Sequence, residues 1–238
     1  MIKVAKGSAI LMVNLVIVRH GQSQANRDNI FTGWTDVPLT DKGIEQGIAV
    51  GKALKKNGIL FSDANTSYMS RAIKTTNIIL DEIDQLYIPI HKTWRLNERH
   101  YGALSGRNKA VVKEEVGADQ LHRWRRGYTE VPPQLTERQH DRRYDRLGIE
   151  MPLSESLAMT QKRLLPFWED QVAPRLLDGK NQLIVAHGSS LRALIKYLDK
   201  IPDDEIDQVE VPNGKPIWYQ FDEHLQVKNK TFITMDGE

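Results

Sequence analysis

The stretch Val13–Asn26, V-N-L-V-I-V-R-H-G-Q-S-Q-A-N, decides how the rest of the chain is read. Leu15 to Val18 are branched apolar residues in an unbroken run. No polar residue alternates with them, so the pattern predicts a strand covered on both faces, as in a parallel sheet. That strand delivers Arg19 and His20 into a turn at Gly21. In open α/β sheets, ligands bind just beyond the carboxyl ends of the strands. An Arg brings a permanent, forked charge that fits phosphate. A His serves as a nucleophile as well as a proton carrier. Arg-His-Gly after a buried strand therefore points to phosphoryl transfer through a phosphohistidine. The tripeptide alone is weak evidence, because short matches arise by chance and a strand-end His is often only a hydrogen-bonding group.

Working outward, the same local pattern returns once. Leu183 to Ala186 reads as a strand, His187-Gly188 follows at once, and Ser190 to Asp199 reads as a helix. If the two strands are neighbours in one sheet, His20 and His187 meet at its carboxyl edge. Arg71 follows Thr66-Ser67 at the end of another expected strand. Each of these residues alone is more often structural. Together with Arg19 they make a phosphate pocket the better account.

The remaining elements alternate. Thr40 is placed to cap a helix that runs to about Lys56 and ends at Asn57-Gly58, with Ile44, Ile48 and Leu54 on one side. Leu60–Thr66 reads as a strand, Tyr68–Gln85 as a helix with Ile73, Asn77, Leu80 and Asp84 at helical spacing, and Tyr87–His91 as a short strand broken by Pro89. Short helices reach about Arg126. Glu130–Met151 reads as an irregular insertion. A long helix is expected from Ser154 to Leu177, kinked at Pro166, and Val209–Thr234 as strands with a terminal hairpin. This order predicts a three-layer α/β fold, a mainly parallel sheet with helices on both faces.

Composition sets limits. The chain has 238 residues, 40% of them apolar, which suffices for one sizeable core. Charged residues make up 27% and the formal net charge is +2, so no overall charge drives binding to nucleic acid. There is no Cys, which excludes disulfides and thiol chemistry. No apolar run approaches the ~20 residues that span a membrane. Met12 directly precedes the first strand, so residues 1–11 are expected to be an N-terminal extension and 12–238 a single domain. A cytoplasmic location is expected.

Longer motifs narrow the reading. F-T-G-W (Phe31–Trp34), L-N-E-R-H-Y-G-A-L (Leu96–Leu104), N-K (Asn108–Lys109), W-R-R-G (Trp124–Gly127) and A-H-G-S-S-L-R-A-L (Ala186–Leu194) occur in order along the chain. With Arg19–Gly21, they make the sequence resemble the cofactor-dependent phosphoglycerate mutases of the histidine phosphatase superfamily, from about Val13 to Phe232. The resemblance implies that His20 is the phosphorylated nucleophile and that Arg19, Arg71, Asn26 and His187 hold the transferring phosphoryl group, with Ser23 in the same loop. It implies that Thr32, Gly33, Gly188 and Ser189 contact substrate, and that Arg99, Tyr101, Lys109, Arg125 and Arg126 grip its carboxylate and second phosphate. Glu98 would be the proton donor and acceptor; the alcohol oxygen gains a proton as phosphate leaves and loses it on return. The family uses 2,3-bisphosphoglycerate as primer and no metal, and a homodimer is expected.

The chain departs from the family pattern in places. Ser189 stands where Asn is usual, and the segment around Glu137–Gly148 is shorter than in many relatives. Beyond the last expected strand, Thr234–Glu238 holds no Lys or Arg. Family members often carry a basic tail there, so a larger phosphatase share and a stronger dependence on added primer are expected. A phosphatase or bisphosphoglycerate synthase on the same fold is one alternative. A non-catalytic phospholigand binder is another, disfavoured by the presence of both His20 and Glu98.

Overall fold

In the computed structural model, which describes residues 12–235, the apolar run forms strand β1 (Val13–Arg19). The extension expected over residues 1–11 lies outside the described residues. Val13, Leu15 and Ile17 enter one core layer, and Val16 and Val18 enter the other. Both faces of β1 are dry, which is why its run lacks polar alternation.

The other strands are β2 (Asp63–Thr66), β3 (Ile90–Lys92), β4 (Gln182–Ala186), β5 (Ile217–Phe221) and β6 (Val227–Phe232), in the order β3-β2-β4-β1-β5-β6. β1 pairs parallel with β4, and β2 continues the parallel side between β4 and β3. On the other edge β5 and β6 form the expected terminal hairpin, antiparallel to β1. The sheet is therefore mixed, mainly parallel with one antiparallel edge.

Helices α1 (Gln24–Arg27), α2 (Asp41–Lys56), α3 (Ser70–Glu82), α4 (Lys109–Val116), α5 (Ala118–Arg126), α6 (Arg142–Asp145), α7 (Leu157–Phe167), α8 (Ala173–Leu177) and α9 (Gly188–Leu198) surround it. α2 and α3 cover the face of Val16 and Val18, while α7, α8 and α9 cover the face of Leu15 and Ile17. α6 is the regular element within the irregular Glu130–Met151 segment. No helix among the described residues is long and apolar enough to cross a membrane.

Three local readings are corrected. Thr40 does cap α2, its Oγ1 accepting from the Gly43 N–H at 3.1 Å, but Ile44 is 41% exposed. The inward face of α2 is instead Gly43, Gly47, Val50, Gly51 and Leu54. α3 packs so close that a Cβ on Gly51 would lie 2.4 Å from the Glu82 Cβ, so small size rather than apolarity marks that face. On α3 the inward row is Ala72, Thr75, Thr76, Ile79 and Leu80, while Asn77 and Asp84 are exposed. The Thr75 and Thr76 hydroxyls donate to the Arg71 and Ala72 carbonyls, each at 2.8 Å, which permits their burial. The helix expected from Ser154 starts later, because the Glu155 N–H bonds the His100 carbonyl and Ser156 is the cap, accepting from Met159 N–H. Pro166 lies in α7, and a π turn at Trp168–Val172 follows, closed by the Ala173 N–H on the Trp168 carbonyl. Pro174 then lacks the N–H that would restore the ordinary register.

The turn after β1 packs backbone to backbone on α2. A Cβ on Gly21 would lie 2.1 Å from the Gly43 carbonyl oxygen, and one on Gly43 would lie 2.1 Å from that of Gln22. Neither neighbour is a flexible side chain. Gly43→Ala should therefore lower stability by about 1–3 kcal/mol, the usual range for overpacking, read as a lower urea midpoint at unchanged slope. An unchanged midpoint would show that the turn yields freely.

Candidate active site

Parallel pairing of β1 with β4 sets the site. The His20 N–H donates to the Ala186 carbonyl at 3.0 Å, and the His20 and His187 rings stand 4.9 Å apart, edge to face. Both rings are buried. His20 Nδ1 lies 2.6 Å from the Gly21 carbonyl oxygen. A carbonyl only accepts, so Nδ1 carries the proton and Nε2 keeps its lone pair. Asn213, reaching in from the loop before β5, donates from Nδ2 to the His20 carbonyl at 2.6 Å. The Gly21 N–H donates to Thr75 Oγ1 at 3.2 Å. The imidazole is thus fixed from its own strand, from α3 and from a distant loop.

The cations around it are held by carbonyls. Arg19 Nη1 donates to the Val211 carbonyl at 2.9 Å. Arg71, wholly buried, donates to the Thr35 carbonyl at 2.9 Å and the Gly33 carbonyl at 3.1 Å. Burial foremost, then the charges of Arg71 and Arg19, hold the His20 imidazole well below its ordinary pKa. The same burial, with Arg71 and His20 as neighbours, does so for His187. Burial also brings Arg71 down to about 10, which leaves it charged at neutral pH.

One pocket collects most of the expected residues: Arg19, His20, Asn26, Thr32, Gly33, Arg71, Glu98, Tyr101, Lys109, Arg125, Arg126, Gly188 and Ser189 line it. Asn26 Oδ1 is taken by the Ser23 N–H at 3.1 Å and faces Asn213 Nδ2 at 3.5 Å, so its amide donors are left for the pocket. Glu98 accepts from the Arg99 N–H at 2.7 Å and from the Ser189 N–H at the start of α9 at 3.1 Å. A helix N-terminus suits a carboxylate. Three expected residues stand behind the lining. His187 backs His20, with Nε2 at 2.8 Å from Ser67 Oγ. Ser23 is the buried cap of α1. Arg99 lies under Tyr101, its guanidinium 4.9 Å from the ring centroid, and donates to the Arg125 carbonyl at 2.8 Å.

Ile30, Phe31, Arg192 and Val211 also line the pocket and were not anticipated. Neither were the supports Ser67, Thr75 and Asn213. Arg192 was legible in principle: it follows Gly188 by four residues, one helical turn. Asn213 carries no local signal.

Arg19, Arg71, Lys109, Arg125, Arg126 and Arg192 face a single lining carboxylate, Glu98. Buried donors remain without partners at Arg19 Nε, Arg99 Nε and Nη1, and Arg192 Nε. Buried polar groups are ordinarily paired. The excess of cations over carboxylates in the lining fits a ligand with more than one anionic group. Among the described residues, no three or more His, Asp or Glu side chains gather closely enough to hold a metal ion.

Comparison with known proteins agrees with the geometry. The histidine phosphatase superfamily (branch 1) matches residues 15–232. The chain belongs to this superfamily. Over 228 residues it is 50% identical to a 2,3-bisphosphoglycerate-dependent phosphoglycerate mutase of Streptococcus thermophilus, covering 93% of this chain and 99% of the relative. A Lactobacillus acidophilus protein of the same name is 51% identical over 225 residues, 92% of this chain and 98% of that one. Among solved structures, the phosphoglycerate mutase of Bacillus anthracis has the same fold, with a TM-score of 0.67, 22% identity and coverage of 95% of this chain and 93% of that one. A structure described as mycobacterial hydrolase 1 aligns with a TM-score of 0.74 at 21% identity, over 94% of this chain and 99% of that one. The superfamily fold is thus present over nearly the whole chain.

The depressed histidines make folding sensitive to mild acid. Their ordinary pKa is 6.5, so the unfolded chain binds protons below that pH while the folded chain refuses them. Stability is unaffected above 6.5 and falls as pH drops below it, by up to about 1.4 kcal/mol per pH unit for each such group. His100, lowered by burial, acts in the same sense. Urea unfolding between pH 6.5 and 5 should show this slope, and His187→Gln should make it shallower by one proton. An unchanged slope in that variant would place a charged His187 in the folded state.

Proposed function

We propose that this chain interconverts 3-phosphoglycerate and 2-phosphoglycerate in glycolysis and gluconeogenesis, through a phosphohistidine on His20. The observation that carries the chemistry is a buried imidazole with Nδ1 tied to the Gly21 carbonyl and Nε2 open among Arg19, Arg71 and His187. The substrate comes from the names of relatives 50% identical over most of the chain.

In this mechanism, Nε2 attacks phosphorus as the bond from phosphorus to the substrate oxygen breaks. The charge of the loose transition state falls on Arg19, Arg71 and His187. Glu98 gives a proton to the oxygen that leaves. In the reverse half, Glu98 takes a proton from the hydroxyl that attacks phosphorus, and the bond to Nε2 breaks. Arg99 and Tyr101 with Lys109, Arg125 and Arg126 hold the remote carboxylate and phosphate, and Asn26, Thr32, Gly33, Gly188 and Ser189 line the path between. The cations of the lining, Arg19, Arg71, Lys109, Arg125 and Arg126, suit 2,3-bisphosphoglycerate, which would supply the phosphoryl group that first loads His20. On this reading the chain is a cytoplasmic single-domain enzyme that assembles as a homodimer.

A coupled assay for 2-phosphoglycerate, with and without 2,3-bisphosphoglycerate, tests the reading. Formation that depends on the bisphosphate is expected. Release of inorganic phosphate without 2-phosphoglycerate would make the chain a phosphatase instead. Glu98→Gln keeps the shape and both backbone contacts but exchanges no proton. It should lower turnover by roughly 10²–10⁴-fold, the range for a general acid–base group, with little change in substrate binding. A loss below about tenfold, under that range, would move the proton to another group.

A further inference from the structure

Helix α5 carries Arg125 and Arg126 in its last turn, yet Leu121 is its one buried residue. Leu121 and the partly buried Trp124 pack its middle into the cluster of Phe31, Leu104 and Val112, and buried guanidinium groups hold its carboxyl end. Arg192, 3% exposed on α9, donates from Nη1 to the Arg125 carbonyl at 3.2 Å and from Nη2 to the Arg126 carbonyl at 2.7 Å. Its Nη2 also donates to the Ile206 carbonyl at 2.8 Å, on the turn that flanks α5. Arg99 adds the bond to the Arg125 carbonyl described above. A cation at a helix C-terminus meets the negative end of its dipole.

The two arginines on α5 depend on this brace to different degrees. Arg126 has bonds of its own, from Nε to the Asp207 carbonyl at 3.0 Å and from Nη2 to the Val209 carbonyl at 3.0 Å. The Arg125 guanidinium has no hydrogen-bond or ion-pair partner among the described residues, so its place is set by its backbone. Arg192 lies one turn below Gly188, on the α9 face that meets the pocket. One side chain therefore ties the helix that starts beside His20 to the helix that bears the remote cations.

We propose that Arg192 is a positioning residue: by binding three carbonyls it fixes the end of α5 so that Arg125 and Arg126 meet the anionic group farthest from His20. The proposal rests on the functional reading above for the identity of the ligand. It requires the planar fork, since one ammonium nitrogen cannot present the same set of coplanar donors.

The test measures calorimetric binding of 3-phosphoglycerate and of orthovanadate, a mimic of the transferring phosphoryl group, by wild type, Arg192→Met, Arg192→Lys, Arg125→Ala and the double variant Arg125→Ala/Arg192→Met. A lost charge-assisted contact costs about 1.5–3 kcal/mol, so Arg192→Met should weaken 3-phosphoglycerate roughly 10- to 100-fold while vanadate changes less than about threefold. Arg192→Lys, which keeps charge and most of the volume, should fold and show the same selective loss at smaller size. The double variant should lose less than the product of the single losses, because Arg192 acts through Arg125. Equal weakening of both ligands, wild-type affinity in Arg192→Lys, or fully multiplicative losses would each overturn the proposal. These readouts need no turnover. A wild-type protein that binds 3-phosphoglycerate but does not isomerise it would refute the functional reading and leave this test intact.

Discussion

The hydrogen bond between His20 Nδ1 and the Gly21 carbonyl is the constraint on which the rest of the site depends. It fixes the tautomer, and burial beside Arg71 and Arg19 keeps the ring neutral. A neutral ring with a fixed Nδ1–H is a nucleophile aimed through Nε2. Holding that geometry needs the parallel β1–β4 ladder, which seats His20 beside His187. It also needs the backbone contact of Gly21 with Gly43, the Thr75 hydroxyl and the Asn213 amide. The sheet, α2, α3 and the loop before β5 all converge on one imidazole.

The second constraint is charge that is held but not neutralised. Elsewhere in the molecule buried or half-buried arginines meet carboxylates, as Arg163 meets Glu155 at 2.7 Å and Arg175 meets Asp63 at 2.7 Å. In the pocket lining and just behind it, Arg19, Arg71, Arg99 and Arg192 are anchored by main-chain carbonyls. A carbonyl orients a guanidinium without cancelling its charge. The positive potential is thus left for the ligand, and desolvation strengthens its pull. Glu98 stands among these cations with its carboxylate on two backbone N–H groups, those of Arg99 and Ser189. That placement sets a proton carrier near the reacting oxygens without an ion pair of its own.

How much of this was legible in the sequence follows from the range of each interaction. The unbroken apolar run of β1 and the two strand-His-Gly echoes are local, so the α/β class and the meeting of His20 with His187 could be read from them. Helical faces built on small residues were misread, because Gly47 and Gly51 signal close packing and not hydrophobicity. Arg192 lies within the quoted Ala186–Leu194 motif, but its carbonyl partners at Arg125, Arg126 and Ile206 are brought to it only by the fold. Asn213 is 193 residues from His20 in sequence and only the fold brings them together. Ser23, expected in the phosphate loop, caps α1 with its Oγ accepting from the Asn26 N–H, a role that a polar loop residue shares with any helix start.

The most direct test of the account is the position of phosphate on the loaded protein. After incubation with 2,3-bisphosphoglycerate, peptide mapping and proton–phosphorus couplings would locate the acid-labile phosphate atom by atom. With Nδ1 held by the Gly21 carbonyl, phosphate is expected on Nε2 of His20 alone. Phosphate on Nδ1, on His187 or on no histidine would contradict the claim that this hydrogen bond prepares the nucleophile.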